Sequence, residues 1–179
     1  MKKQEFFELA KTVIFAFLVA LPIRIFIFQP FLVQGISMEP NFKNGDYLIV
    51  DEITFRLRQP ERGEVVVFKS PISPETILIK RIVGLPGEEV RISKGKVFIN
   101  GEMLKEDYLK ENTLTFPEQK VTLNDKEYYL LGDNRAFSLD SRNFGPVKRE
   151  KIIGRVIMKV FEINIFPIPA FSLVKKPNY

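Results

Sequence analysis

One feature divides this 179-residue chain into unequal parts: between Thr12 and Met38 the only charged residue is Arg24. The stretch reads TVIFAFLVALPIRIFIFQPFLVQGISM, and Phe6, Phe7 and Leu9 extend its apolar character upstream among Glu5, Glu8 and Lys11. A membrane-spanning helix needs about 20 mostly apolar residues, and Phe6 to about Phe28 supplies that length. Pro22 would kink it, and Arg24 would have to snorkel to the interface. Lys2, Lys3 and Lys11 flank its start, which places the N-terminus in the cytoplasm and the remainder outside. Two plainer readings compete. A cleavable leader carries an apolar region of about 7–15 residues before a small-x-small site, whereas large residues here continue through Ile25, Phe26, Ile27 and Phe28. A buried helix of a soluble domain would show a polar face, and Val13 to Leu21 has none. The expected organisation is residues 1–30 as cytoplasmic N-terminus and transmembrane anchor, and 31–179 as an extracytoplasmic domain.

After Gln34 the pattern becomes β-like. Tyr47–Val50, Glu64–Phe68, Thr76–Val83, Glu89–Ile92, Lys96–Ile99, Tyr128–Leu131 and Ile152–Phe161 are rich in β-branched and aromatic residues, and most are bounded by turn signals. Asn44-Gly45, Pro86-Gly87, Lys94-Gly95 and Asn100-Gly101 are the turn candidates, the last resembling a tight hairpin. No long helical period follows residue 40. The expected fold is mainly β: an N-terminal transmembrane helix followed by an antiparallel β-barrel or sandwich, with a small insertion at about 89–127. Within it, Lys105–Lys126 is polar and irregular. The apolar C-terminal stretch FEINIFPIPAFSLV is too short and broken for a second span.

Composition narrows the chemistry. The chain has no His and no Cys, which excludes a His-based triad, a thiol nucleophile, a disulfide and a zinc ribbon. A general base acting near neutral pH must then be Lys, Asp, Glu or Tyr. The net charge of +5 suits an anionic membrane surface and is too small to imply nucleic acid.

Three segments could carry chemistry, and each has a bland reading beside it. Ser37 follows the apolar run in Gly35-Ile36-Ser37-Met38-Glu39-Pro40 and could be only a turn residue. Lys80 and Arg81 interrupt the aliphatic run Thr76–Val83. Alternation places Lys80 on one face with Leu78 and Ile82, and Arg81 on the other with Ile79 and Val83. They could be snorkelling cations on an edge strand. Alternatively Lys80 is desolvated, and burial lowers an ammonium's pKa from about 10.4 toward the 7–8 that a base requires. Gly132–Arg142 packs Gly, Asn, two Asp, two Ser and two Arg into eleven residues, either as a solvated turn or as a loop braced by charge-assisted hydrogen bonds.

Taken together and in order, these segments resemble the bacterial type I signal peptidases, in their compact single-anchor form. The matching boxes are the anchor, Ser37-Met38-x-Pro40, Gly45-Asp46, Arg62–Phe68, Lys80–Glu88 and Gly132–Arg142. The resemblance implies a membrane-bound serine endopeptidase with a Ser–Lys dyad. It would remove signal peptides from exported preproteins after small residues at −1 and −3. Ser37 would be the nucleophile and Lys80 the general base. Ser138 would hydrogen-bond the Lys80 amine, Asp140 and Arg142 would brace its loop, and Asp133 and Arg135 would have lesser structural roles. The Ser37 N–H would help bind the oxyanion. The implied substrate pockets are formed by Phe31, Val33, Gln34, Met38, Phe42, Leu78 and Ile79. Two departures stand out. Gly35 replaces a Ser that supplies an oxyanion donor in some members, and Ala136-Phe137 replaces a common Asp-Asn.

The resemblance further implies no cofactor or metal. The partners would be signal-peptide-bearing preproteins and the lipid bilayer, without nucleic acid. The enzyme would be a monomer in the plasma (inner) membrane, single-pass, with its catalytic domain outside. A self-cleaving repressor-type Ser–Lys domain would be soluble and carry a DNA-binding headpiece, unlike this N-terminus. A non-catalytic membrane-anchored β module would not account for Ser37, Lys80 and the Gly132–Arg142 loop together.

Overall fold

The structure is a computed structural model that describes residues 3–26, 28–160 and 171–173. It opens with helix α1 (Lys3–Phe26), in which Phe6, Phe7, Val13, Ile14, Phe15 and Leu18 are all exposed. Among the described residues no helix is long and apolar enough to cross a membrane. Glu8 and Lys11 form an ion pair of 2.9 Å in its first half, and Pro22 and Arg24 interrupt the run further on. The expected anchor is thus a helix, but not one that qualifies as a span. Residues 28–32, whose first part was assigned to that anchor, instead form strand β1 (Phe28–Leu32).

Eleven further strands follow: β2 (Tyr47–Asp51), β3 (Val65–Lys69), β4 (Ile77–Gly84), β5 (Glu89–Ser93), β6 (Lys96–Ile99), β7 (Glu102–Met103), β8 (Gln119–Thr122), β9 (Glu127–Leu131), β10 (Val147–Lys148), β11 (Ile152–Val160) and β12 (Phe171–Leu173). Two one-turn helices, α2 (Thr54–Leu57) and α3 (Ser141–Phe144), lie between them. The larger sheet has eight strands in the order β1-β2-β11-β3-β4-β9-β10, with β12 also on β11. The smaller has four, β7-β6-β5-β8. Every pairing is antiparallel.

The expected barrel is not formed. The path of the larger sheet runs from β1 to β10 with no pairing between those ends among the described residues. Bulges in β11 and β4 turn the sheet without closing it. One of them falls at Gly154, where a Cβ would come within 2.6 Å of the Asp51 carbonyl.

The run Val65–Phe68 is apolar at every position because the sheet is covered on both faces. Val65 and Val67 enter a core with Val33, Met38, Phe42, Leu48 and Val50, while Val66 and Phe68 enter another with Phe55, Ile82, Tyr128 and Leu130. A third core joins the smaller sheet to the end of β4 and β9 through Val83, Val90, Val97, Tyr129 and Leu131. The smaller sheet hangs on two-residue turns. Lys94-Gly95 and Asn100-Gly101 both have positive φ at each residue, the conformation of the type I′ hairpin.

Candidate active site

Ser37 sits on the loop leaving β1, and that loop is pinned at both ends. Val33 N–H donates to Asp46 O at 2.9 Å, Gly45 N–H donates to Val33 O at 2.9 Å, and Glu39 N–H donates to Ile36 O at 3.1 Å. Met38 and Phe42, on either side of the turn, are buried in the first core. Gly35 has φ +95°, a conformation that L side chains rarely adopt. Gly35 therefore serves the turn that presents Ser37.

Lys80 reaches the same point from β4. Its residue is only 2% exposed. Its Nζ lies 2.7 Å from Ser37 Oγ and donates to Ile79 O at 2.8 Å. Burial, the largest influence, pulls the Lys80 amine down from 10.5 to about 8; the carboxylates of Asp140 and Asp133 push it up, and Arg142 pushes it down. Arg81 points elsewhere, as alternation requires. Its guanidinium pairs with both Asp133 oxygens, at 2.9 and 2.6 Å, donates to Gly63 O and stacks over the Tyr108 ring at 4.2 Å. Neither cation snorkels, because both are buried.

The Gly132–Arg142 loop is braced rather than solvated. Asp140, fully buried, accepts from Gly132 N–H at 3.0 Å, caps α3 through Arg142 N–H and binds the Arg142 guanidinium with both oxygens at 2.8 Å. Arg142 also donates to Phe116 O at 2.7 Å. Arg135, buried too, bonds Gly132 O, Thr115 and Glu106. The two carboxylates nearest Lys80 thus each carry their own arginine.

Ser138 differs from expectation. Its Oγ is buried without a hydrogen-bond partner among the described residues, so the expected bond to the Lys80 amine is not made. It packs on Gly132, where an added Cβ would lie 2.1 Å from Ser138 Oγ and 2.6 Å from Ser37 O. Glycine at 132 lets the serine loop close on the nucleophile's own carbonyl.

A cavity of about 140 Å³ opens beside the pair, lined by Phe31–Gln34, Ser37, Leu48, Val67 and Ile77–Lys80. It contains the expected pocket residues Phe31, Val33, Gln34, Leu78 and Ile79. Met38 and Phe42 do not line it; they are core residues behind its wall. Sequence reasoning missed Leu32, Leu48, Val67 and Ile77. The cavity lies against an unpaired strand edge. Ile77–Lys80 pair only with β3 among the described residues, because β9 ends at Leu131, opposite Arg81. Ile82 exchanges its backbone bonds with the β3 side, so alternation turns the backbone groups of Ile77 and Ile79 toward the open edge. Among the described residues no three His, Cys, Asp or Glu side chains converge as metal ligands.

The family described as signal peptidase, peptidase S26, matches residues 6–161. The chain belongs to this signal peptidase family. Its members are serine peptidases, hydrolases of peptide bonds. A probable signal peptidase I-2 of Synechocystis sp. is 40% identical over 172 residues, covering 93% of this chain and 76% of the relative. Signal peptidase I V of Bacillus subtilis is 33% identical over 165 residues, covering 85% of this chain and 96% of the relative. A crystal structure of a signal peptidase I from Enterococcus faecalis is 32% identical, with a TM-score of 0.49 over 55% of this chain and 97% of that one. Several residues of this signal peptidase's site escaped the sequence reading: Gly132 as a close-approach glycine, Glu106 and Thr115 as partners of Arg135, and Asn134. The presence of Gly132 and Asn134 in the polar segment was visible; their contacts across the fold were not.

Proposed function

We propose that this signal peptidase cleaves with a Ser37–Lys80 dyad. It acts at the outer face of a membrane and removes signal peptides from exported preproteins after small residues at −1 and −3. The reading rests on one observation above all: the 2.7 Å contact between Ser37 Oγ and a buried Lys80 amine lowered to about 8. A neutral amine there accepts the hydroxyl proton as Oγ bonds to the scissile carbonyl carbon. The carbonyl π pair moves to oxygen and is received by the Ser37 N–H. When the C–N bond breaks, the Lys80 ammonium returns its proton to the leaving amine. Water then attacks the acyl-enzyme with Lys80 again taking the proton, and as the ester bond to Ser37 Oγ breaks the ammonium returns that proton to Oγ. Ser138 Oγ, buried and unpartnered, is the group left to accept from the ammonium while it exists.

The substrate adds as a strand along the open edge of Ile77 and Ile79, which supplies main-chain hydrogen bonds without demanding a sequence. The 140 Å³ cavity admits only small side chains. The exposed apolar side chains of α1 carry membrane attachment, with the helix as anchor and the domain from β1 onward outside. The second sheet, within the 89–127 insertion, is an annex to this catalytic domain.

Ser37→Ala and Lys80→Ala should each reduce cleavage of an Ala-x-Ala preprotein in detergent to background while preserving the melting transition. Wild-type turnover by either variant would sink the dyad.

A further inference from the structure

Asn134 lies between two residues fixed by buried ion pairs, Asp133 to Arg81 and Arg135 to Glu106. From that rigid mount it reaches across to the nucleophile's loop with both of its donors. Its backbone N–H donates to Ser37 O at 3.0 Å, and its side-chain Nδ2 donates to Ile36 O at 3.1 Å. The amide orientation is not arbitrary, because only the NH2 group can face a carbonyl oxygen. Ile36 C=O and Ser37 N–H are the two ends of one planar peptide. Holding the carbonyl end therefore fixes where the N–H end points. Among the described residues, Ser37 N–H donates to no acceptor. Gly35 offers no side-chain donor beside it, so the direction of this single N–H matters more here than in a site with two donors.

We propose that Asn134 is a positioning residue for the oxyanion hole: its side chain orients and polarises the Ile36–Ser37 peptide so that the Ser37 N–H meets the developing oxyanion. The inference rests on the Ser37–Lys80 reading above. Asn134 touches neither substrate nor reacting atoms; it acts through the peptide. Its effect falls on the tetrahedral state and not on substrate binding or on the proton affinity of Lys80. The turn itself survives its loss, because Ile36 O also accepts from Glu39 N–H.

The test is Asn134→Asp, which keeps the shape and the backbone bond to Ser37 O but sets a carboxylate oxygen against Ile36 O. Asn134→Ala is the companion variant. Full oxyanion donors are worth roughly 100- to 1,000-fold in kcat, so a residue that aims one should cost about 10-fold or more. The expected result is that fall in kcat for both variants with unchanged KM, and, in the uncharged Asn134→Ala, an unchanged midpoint of the pH–rate curve. Affinity for a peptide aldehyde, which forms a tetrahedral adduct on Ser37, should fall by the same factor. Affinity for the cleaved signal peptide should not change. Wild-type kcat, a loss confined to KM, or a displaced pH midpoint in Asn134→Ala would overturn the proposal. Ser37→Ala run alongside separates the two readings: if it keeps turnover the dyad itself is wrong, and if it is dead while Asn134→Asp is wild-type, only the positioning role fails.

Discussion

At the residue scale the decisive quantity is the proton on Lys80. With the amine lowered to about 8, kcat/KM should rise with pH through that value and then level off; a profile flat from pH 6 to 10 would count against Lys80 as base. The same shift has a stability consequence whose sign runs opposite to that of a salt bridge. The folded state releases the proton near 8 and the unfolded chain near 10.5. Between these values the unfolded chain binds more protons, so stability climbs with pH. Below pH 8 the folded protein bears the full cost of a buried ammonium, on the order of 3 kcal/mol. Lys80→Met should therefore be more resistant to urea than the wild type at pH 7, with the advantage shrinking as pH approaches 10.5. An advantage independent of pH would mean that the methionine merely packs better. Lys80 was legible in sequence because a charge inside an aliphatic strand is itself anomalous. Ser37 and Ser138 are ordinary loop serines in isolation. Asn134 and Gly132 were not legible as parts of the site, since their roles lie in contacts to Ile36 and Ser37 nearly a hundred positions away.

At the scale of elements, the chain's strands were readable wherever both faces are buried or turn glycines bound them. β3, β4, β5, β6 and β9 fall within a residue of their expected limits, and Asn100-Gly101 is the hairpin it resembles. The misses share a cause. β1 was hidden because its FQPFL continues an apolar run that a helix explains equally well, and only pairing with β2 settles it. β7 and β8 are short strands in polar sequence, and neither has a buried residue. The loop between β9 and α3 behaves as an element in its own right, held by Asp140. Removing that carboxylate strands the Arg142 guanidinium, whose side chain is 5% exposed, and leaves Gly132 N–H and the α3 cap unsatisfied. Breaking one partner of a buried pair costs roughly 3–5 kcal/mol. Asp140→Ala should lose about that much in urea denaturation, together with most activity, because Ser138 and Gly132 ride on the same loop. Asp140→Asn, which keeps an acceptor for the cap, should lose less. Equal losses would mean that the charged pair with Arg142 carries the effect and that the cap adds nothing.

At the scale of the whole molecule, no described side chain of α1 belongs to the three cores. Its Phe6, Phe7, Leu9, Val13, Ile14, Phe15, Phe17 and Leu18 are each about half exposed or more. Burying such a side chain contributes roughly 1.5–3 kcal/mol. Together the eight are comparable to the whole stability of a typical domain, about 5–15 kcal/mol. No soluble chain gains by leaving them in water, and a lipid phase removes the cost without any new contact to the β domain. In the proposed membrane attachment apolar area would supply most of the binding, with the net charge of +5 adding attraction to anionic lipid. These two contributions respond differently to salt, since charge attraction at a surface is screened within about 3 Å at 1 M and apolar burial is not. The intact chain should float with neutral phosphatidylcholine vesicles and remain with them in 1 M NaCl. A variant lacking residues 1–26 keeps β1 and its pairing with β2. It should stay in the aqueous fraction and still cleave a soluble Ala-x-Ala peptide. Release of the intact chain by salt would reduce α1 to a surface contact, and flotation of the shortened variant would move the membrane-binding element into the β domain.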